Sequence, residues 1–268
     1  MKMVAAAKLR RAQQAVITIR PYADRLQTTL DQVVAKSDQL ANSFFIPRSE
    51  VKKRFFLVFT SNRGLCGGFN SNLLRRVETF LKQHTSATQI LDVDVIGKKG
   101  RDFFRARKRP VRNFYQEYAD SLPFEEAVKL AEGMLQSYVQ GEYDEYYIAF
   151  NRFKSALSQD VQITKLVPFE SKSEEKKESV RQLVDFIYEP TKKEFLDKVI
   201  PLHLAAEIYR AHRESVASEL GARMSAMENA TSNAKEMIRL LTLQYNRIRQ
   251  AVITKELMDI VNGAESIK

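Results

Sequence analysis

A chain of 268 residues with 44% hydrophobic residues is long enough for about two domains and can bury a sizeable core. That excludes wholesale disorder. With 43 Lys and Arg against 33 Asp and Glu, the formal charge is +10, which favours acidic partners of any kind: nucleic acid, an anionic surface or an acidic protein face. The longest notable apolar run, Phe55 to Phe59, is far below the roughly 20 residues of a spanning helix. Met1 to Ala7 is too short for a secretory leader, so the chain reads as soluble and intracellular. One cysteine, Cys66, and three scattered histidines exclude an internal disulfide and a Cys/His zinc cluster. Nine Gly and seven Pro leave room for long helices.

In chain order, Leu9, Ala12, Val16, Ile19, Ala23, Leu26, Leu30, Val33, Ser37, Leu40 and Phe44 step by three and four, predicting a heptad seam. Pro21 predicts a local kink, and a helix over 1–45 would reach about 68 Å. The period then changes. Phe55–Thr60, Ile90–Gly97 and Tyr143–Phe150 read as strands, Ser71–Gln83 and Pro123–Gln140 as helices, and Val161–Val167 as a further strand. This alternation predicts an α/β lobe with a largely parallel, Rossmann-like sheet. The charged run Glu170 to Ser179 reads as an exposed loop. A second seam follows at Leu220, Met224, Met227, Thr231, Ala234, Ile238, Leu241, Tyr245, Ile248 and Val252, inside a stretch from Leu202 to Asn262 that lacks proline. The expected fold is therefore an antiparallel pair of N- and C-terminal helices with a central α/β lobe. Its expected parts are an N-terminal shaft helix (1–50), the lobe (51–170), a connecting loop and helix entry (171–201) and a C-terminal shaft helix (202–268).

Few segments suggest chemistry. Ser61 to Asn70 is glycine-rich and lies between a strand and a helix, but Gly64, Gly67 and Gly68 match neither the dinucleotide nor the P-loop spacing. A tight turn is the expected role. Cys66 has no histidine nearby to activate it and reads as a packing residue. Arg101, Arg105, Arg107, Lys108, Arg109 and Arg112, interleaved with Phe103 and Phe104, would suit nucleic-acid phosphates, or a solvated helix end with both rings packed on the sheet. The charge is spread rather than concentrated: seven basic and three acidic residues in 1–45, 27 and 22 in 46–202, nine and eight in 203–268. No catalytic residues, cofactor site or metal site are expected. A basic coiled-coil protein that binds nucleic acid, and an enzyme using nucleotides, stand as alternatives.

The stretch Ile253-Thr-Lys-Glu-Leu-Met-Asp-Ile-Val-Asn-Gly-Ala-Glu-Ser266 resembles the signature of the gamma subunit of the F-type ATP synthase. Gly221 to Ala234, Gln244 to Ala251, Met1 to Leu9 and Ser61 to Asn70 resemble the same family. The resemblance implies a non-catalytic rotor shaft of coiled helices inside a ring of alpha and beta subunits, with the lobe facing the epsilon subunit and the membrane c-type ring. It implies a peripheral position on the cytoplasmic side of a bacterial inner membrane, with no nucleic-acid partner. Arg223, Gln250, Thr254 and Glu256 match polar shaft positions that meet the alpha/beta ring. Met1, Lys2 and Met3 match the segment passing the acidic lever of the beta subunits. Family chains carry a further helical stretch ahead of the position of Met1. Arg223 and Glu256 are expected on exposed helix faces, where substitution costs little stability.

Overall fold

The computed structural model describes residues 2–35, 44–48, 50–84, 90–169 and 191–266. They fall into two compact units, Met1–Ser225 and Ala226–Lys268.

The first unit begins with α1 (Lys2–Ala35), which continues through Pro21. Its predicted seam is its buried stripe: Leu9, Val16, Ala23, Leu30 and Val33 are all within 4% of full burial. Ser37 and Leu40 lie outside the described residues. Phe44 lies in a turn rather than in the helix, and its ring stacks 5.6 Å from that of Tyr138.

A five-stranded sheet follows, in the order β3-β2-β1-β4-β5. Central β1 (Lys53–Phe59) pairs in parallel with β2 (Ile90–Ile96) and β4 (Glu145–Phe153), and β2 pairs in parallel with the two-residue β3 (Phe114–Tyr115). At the far edge, β5 (Gln159–Val167) runs antiparallel to β4. The helices are α2 (Phe69–Gln83), α3 (Lys98–Ala106) and α4 (Phe124–Val139), with a short 3-10 turn at Glu117–Ala119.

The unbroken run Phe55 to Phe59 reflects a sheet covered on both faces. Alternate residues Phe55, Leu57 and Phe59 join the core shared with α4, α1 and the last helix, whereas Phe56 and Val58 pack with Leu73 and Val77 of α2 and Phe104 of α3. At Gly97 the backbone has φ 96°, and a Cβ there would sit 2.1 Å from the Thr60 carbonyl oxygen. Only glycine allows β1 and the start of α3 to approach so closely.

The last helix, α5 (Lys192–Glu265), starts ten residues before Leu202 and holds Pro201 within it. Tertiary packing outweighs the missing N–H: Leu196, Ile200, Leu204 and Ile208 share one core with Leu30 and Val33 of α1. The second unit is the helical continuation of this element from Ala226.

Candidate functional site

Within the first unit, α1 and α5 run antiparallel. Arg20 pairs with Glu214 at 2.7 Å and Asp24 with Arg210 at 3.3 Å, so four residues forward on one helix match four residues back on the other. Leu9 and Val16 pack with Ala217 and Leu220, and Phe153 at the end of β4 joins them.

In parallel α/β sheets, ligands enter at the carboxyl ends of the strands, where the chain's winding reverses, here between β1 and β4. In this chain α5 fills that place. Ser218 Oγ donates to the Asn151 carbonyl at 2.9 Å, and Ala222 packs with Cys66 and Phe69. A Cβ on Gly221 would lie 3.1 Å from both Cα and O of Ala156. The crevice that would hold a nucleotide in an enzyme of this class therefore holds the chain's own helix.

The glycine-rich segment is a tight turn, as its composition predicts. Leu65 and Gly67 take φ of 64° and 56°, and Asn70 bonds back to Ser61. Cys66 is buried, and burial pushes its thiol above the usual value, which opposes a thiolate nucleophile. Among the described residues, no group of three or more His, Cys, Asp and Glu side chains is placed to hold a metal ion.

Beside this turn lies a cleft of about 650 Å³ between α1, the turn and α5. Lys8, Arg11, Arg63, Arg213 and Arg223 face it, against Asp120 and Glu219, over a floor that includes Ala12 and Leu220. Burial holds the Glu219 carboxyl above its usual range, and Arg223 at 2.7 Å opposes that shift. Arg223 also donates to the Gly64 carbonyl at 3.3 Å. This corrects the expectation of an exposed position: Arg223 is 19% exposed at its side chain and ties α5 to the turn.

The basic segment around α3 is a helix end packed on the sheet. Phe104 is buried, Arg107 sits over the Phe103 ring and pairs with Glu78, and Arg101 sits over Phe114.

The second unit has a different surface. Ile238, Leu241, Tyr245, Ile248 and Val252 of the predicted seam are all about half exposed or more. So are Leu240, Leu243, Ile253, Leu257, Met258, Ile260 and Val261. At about 100° per residue the seam residues share one side, Leu243 and Val261 lie opposite, and Leu240, Met258 and Ile253 fall on the flanks. Large exposed apolar side chains thus occur on several sides of the helix, with charged residues such as Arg247, Arg249, Lys255 and Asp259 among them. The seam was legible in the sequence; this second apolar set was missed, and placing every large apolar residue on the helical wheel would have found it.

Of the other expected site residues, Gln250 and Thr254 form one unit, with Thr254 Oγ1 donating to the Gln250 carbonyl at 2.8 Å. They lie on the side away from the seam, whereas Glu256 lies on the seam side, about 120° from Gln250 and about 160° from Thr254. All three are exposed. Lys2 and Met3 are exposed at the start of α1, and Met1 lies outside the described residues. Of the six described positions, Lys2 and Met3 lie on α1, Arg223 on the turn-facing part of α5, and Gln250, Thr254 and Glu256 on two sides of its later part.

A pair of helices held by an α/β lobe, with large apolar side chains left exposed along a helix, defines a class: a subunit built for assembly. No helix among the described residues is long and apolar enough to cross a membrane. Comparison with known proteins places the chain within that class. The ATP synthase family model matches residues 1–267. The ATP synthase gamma chain of an Anaeromyxobacter species is 45% identical over 271 residues, covering all of this chain and 92% of that one. The gamma chain of Geobacter metallireducens is 45% identical over 268 residues with the same coverage. Among solved structures, a chain of the Tetrahymena thermophila mitochondrial ATP synthase central stalk and c-ring is 25% identical with a TM-score of 0.63, covering 86% of this chain and 97% of that one. A chain of the Euglena gracilis mitochondrial enzyme, 19% identical with a TM-score of 0.61, shares the fold over 99% of this chain and 94% of that one. The chain belongs to the gamma-subunit family of the F-type ATP synthases.

Proposed function

We propose that this chain is the central rotor shaft of an F-type ATP synthase, turning inside a ring of alpha and beta subunits and coupling ion flow through a membrane c-type ring to ATP synthesis or hydrolysis at the beta subunits. The observation that carries the reading is the later part of α5, which exposes large apolar side chains on several sides of its axis, among polar and charged ones. Apolar groups exposed in several directions call for partners on more than one side. A sleeve of surrounding subunits supplies them, whereas a single flat partner would leave half the apolar surface in water.

The chain itself performs no bond chemistry in this reading and takes no cofactor; the beta subunits do the chemistry. A shaft biases a partner's conformational equilibrium only by touching different partner conformations differently. Polar Gln250 and Thr254 on one side and Glu256 on another give such an uneven surface. Lys2 and Met3, with Met1 ahead of them, face the acidic lever of the beta subunits, and the cleft cations Lys8, Arg11 and Arg63 complement an acidic partner surface. In this reading α1 and α5 are the shaft helices, and the sheet with α2, α3 and α4 is the lobe. The lobe meets the epsilon subunit and the c-type ring, which holds the chain peripherally on the cytoplasmic side of a bacterial inner membrane.

The test is reconstitution of the purified chain with alpha and beta subunits, followed by size-exclusion chromatography and an ATPase assay. A complex of three alpha, three beta and one copy of this chain that hydrolyses ATP is the expected result. A chain that neither joins nor alters an alpha/beta complex would overturn the reading.

A further inference from the structure

One junction between the helix pair and the lobe is built from charge. The Glu214 side chain is 4% exposed and that of Arg20 34%. Glu214 Oε1 accepts from Arg20 Nε at 2.7 Å, and Oε2 accepts from Arg20 Nη2 at 2.8 Å and from the Phe153 backbone N–H at 2.8 Å. Arg20 Nη2 also donates to the Phe153 carbonyl at 2.6 Å. The ring of four hydrogen bonds joins α1, α5 and the last residue of β4. One turn further along α5, Ser218 bonds the Asn151 carbonyl on the same strand.

Such a ring contributes little net stability, because ion pairs withdrawn from water lose much of their Coulomb gain to desolvation, and apolar replacements of like shape are often neutral. Its distinctive property is direction. Apolar contacts such as Val16 with Ala217 and Leu220 tolerate sliding and rotation, whereas a planar guanidinium fork locked to a carboxylate and a strand end does not.

Building on the rotor reading, we infer that Arg20 and Glu214 are positioning residues that fix the angular register of the helix pair on the sheet, so that turning force passes between lobe and shaft without slip. The Asp24–Arg210 pair is a poorer lock, since Asp24 is 69% exposed at its side chain and the pair does not reach the sheet.

The test uses the full chain with nitroxide labels at Ile17→Cys on α1 and Thr79→Cys on α2, both exposed, while Cys66 stays buried. Pulsed dipolar spectroscopy reads the distance distribution in wild type, in Arg20→Met with Glu214→Leu, and in Glu214→Gln, which keeps an acceptor for the Phe153 N–H. The expected result is a distribution at least about twofold broader in the apolar pair, with an intermediate width in Glu214→Gln and a cooperative melt retained. In a complex with alpha and beta subunits the apolar pair should also lower torsional stiffness in single-molecule rotation. A width equal to wild type in a folded variant would overturn the inference, and if the apolar pair fails to fold, Glu214→Gln is judged by the same criterion. Absence of rotation in the wild-type complex would overturn the rotor reading alone, because the label distances are read on the chain itself.

Discussion

Residues 192–225 and 226–265 belong to one helix, and both stretches carry apolar side chains at helical spacing, but they use them in opposite ways. Every buried residue of α5 lies between Leu196 and Ala222, and many are small: Ala205, Ala206, Ala211, Ala217, Gly221 and Ala222. Small side chains let a sheet and a second helix come close. The later stretch carries Leu240, Leu241, Leu243, Leu257 and Met258, large groups that find no cover within their own unit. Periodicity reports which residues share a face; side-chain size and distribution around the axis report whether the chain's own fold or another molecule covers it.

The comparison breaks most readily at Gly221. Gly221→Val should destabilise the first unit by roughly 3 kcal/mol in urea denaturation, because the added carbons meet the Ala156 backbone, which has no rotamer to yield. In the later stretch, Ile248→Ala should leave the chain's own stability within about 0.5 kcal/mol. A comparable loss at both positions would erase the distinction between the two stretches.

Arg223→Ala should cost about 2 kcal/mol, since it leaves the Glu219 carboxylate buried without its cation. Arg223→Lys should recover part of that loss. A thermal melt indistinguishable from wild type would return Arg223 to the solvated surface.

Acid should weaken the first unit through His212. Its ring is 1% exposed, its Nε2 lies 2.8 Å from the Tyr118 carbonyl, and burial lowers its pKa from 6.5 to about 4. Between those values the unfolded chain binds the proton and the folded chain does not, so stability falls as pH drops through that window, by about 2 kcal/mol from pH 7 to pH 5. Asp94 and Glu219, whose burial raises their carboxyls, pull the other way in acid, so the reading is the difference from His212→Gln. Equal acid sensitivity in both proteins would contradict the assignment.

The smallest effect on the chain itself should come from Glu256→Ala. Its stability should stay within about 0.5 kcal/mol of wild type, while coupled ATP synthesis in reconstituted vesicles falls. Unchanged synthesis would remove Glu256 from the partner-facing set.

Much of the fold was legible because its signals are local. The Phe55 to Phe59 run marked the central strand, heptad spacing marked the α1 stripe, and the glycines of the turn announced tight backbone. What was missed depends on contacts distant in sequence. Pro201 opposes a helix in every local sense, and only packing of its neighbours against α1 carries α5 through it. Arg20 and Glu214, 194 residues apart, look like two ordinary surface charges until the fold brings them to Phe153. The two-residue β3 carries too little pattern to be found, and β4 extends three residues past its predicted end because α5 covers it.

The central claim, that the later part of α5 is enclosed on all sides by partner subunits, is tested most directly by cysteine labelling. Leu240→Cys, Ile248→Cys and Leu257→Cys point in three directions about 80° to 180° apart. Maleimide labelling of each, measured in the free chain and after assembly with alpha and beta subunits, should be fast in the free chain and slowed at least about tenfold at all three positions in the complex. Any one position labelled as fast in the complex as in the free chain would leave an uncovered side and contradict enclosure by a ring.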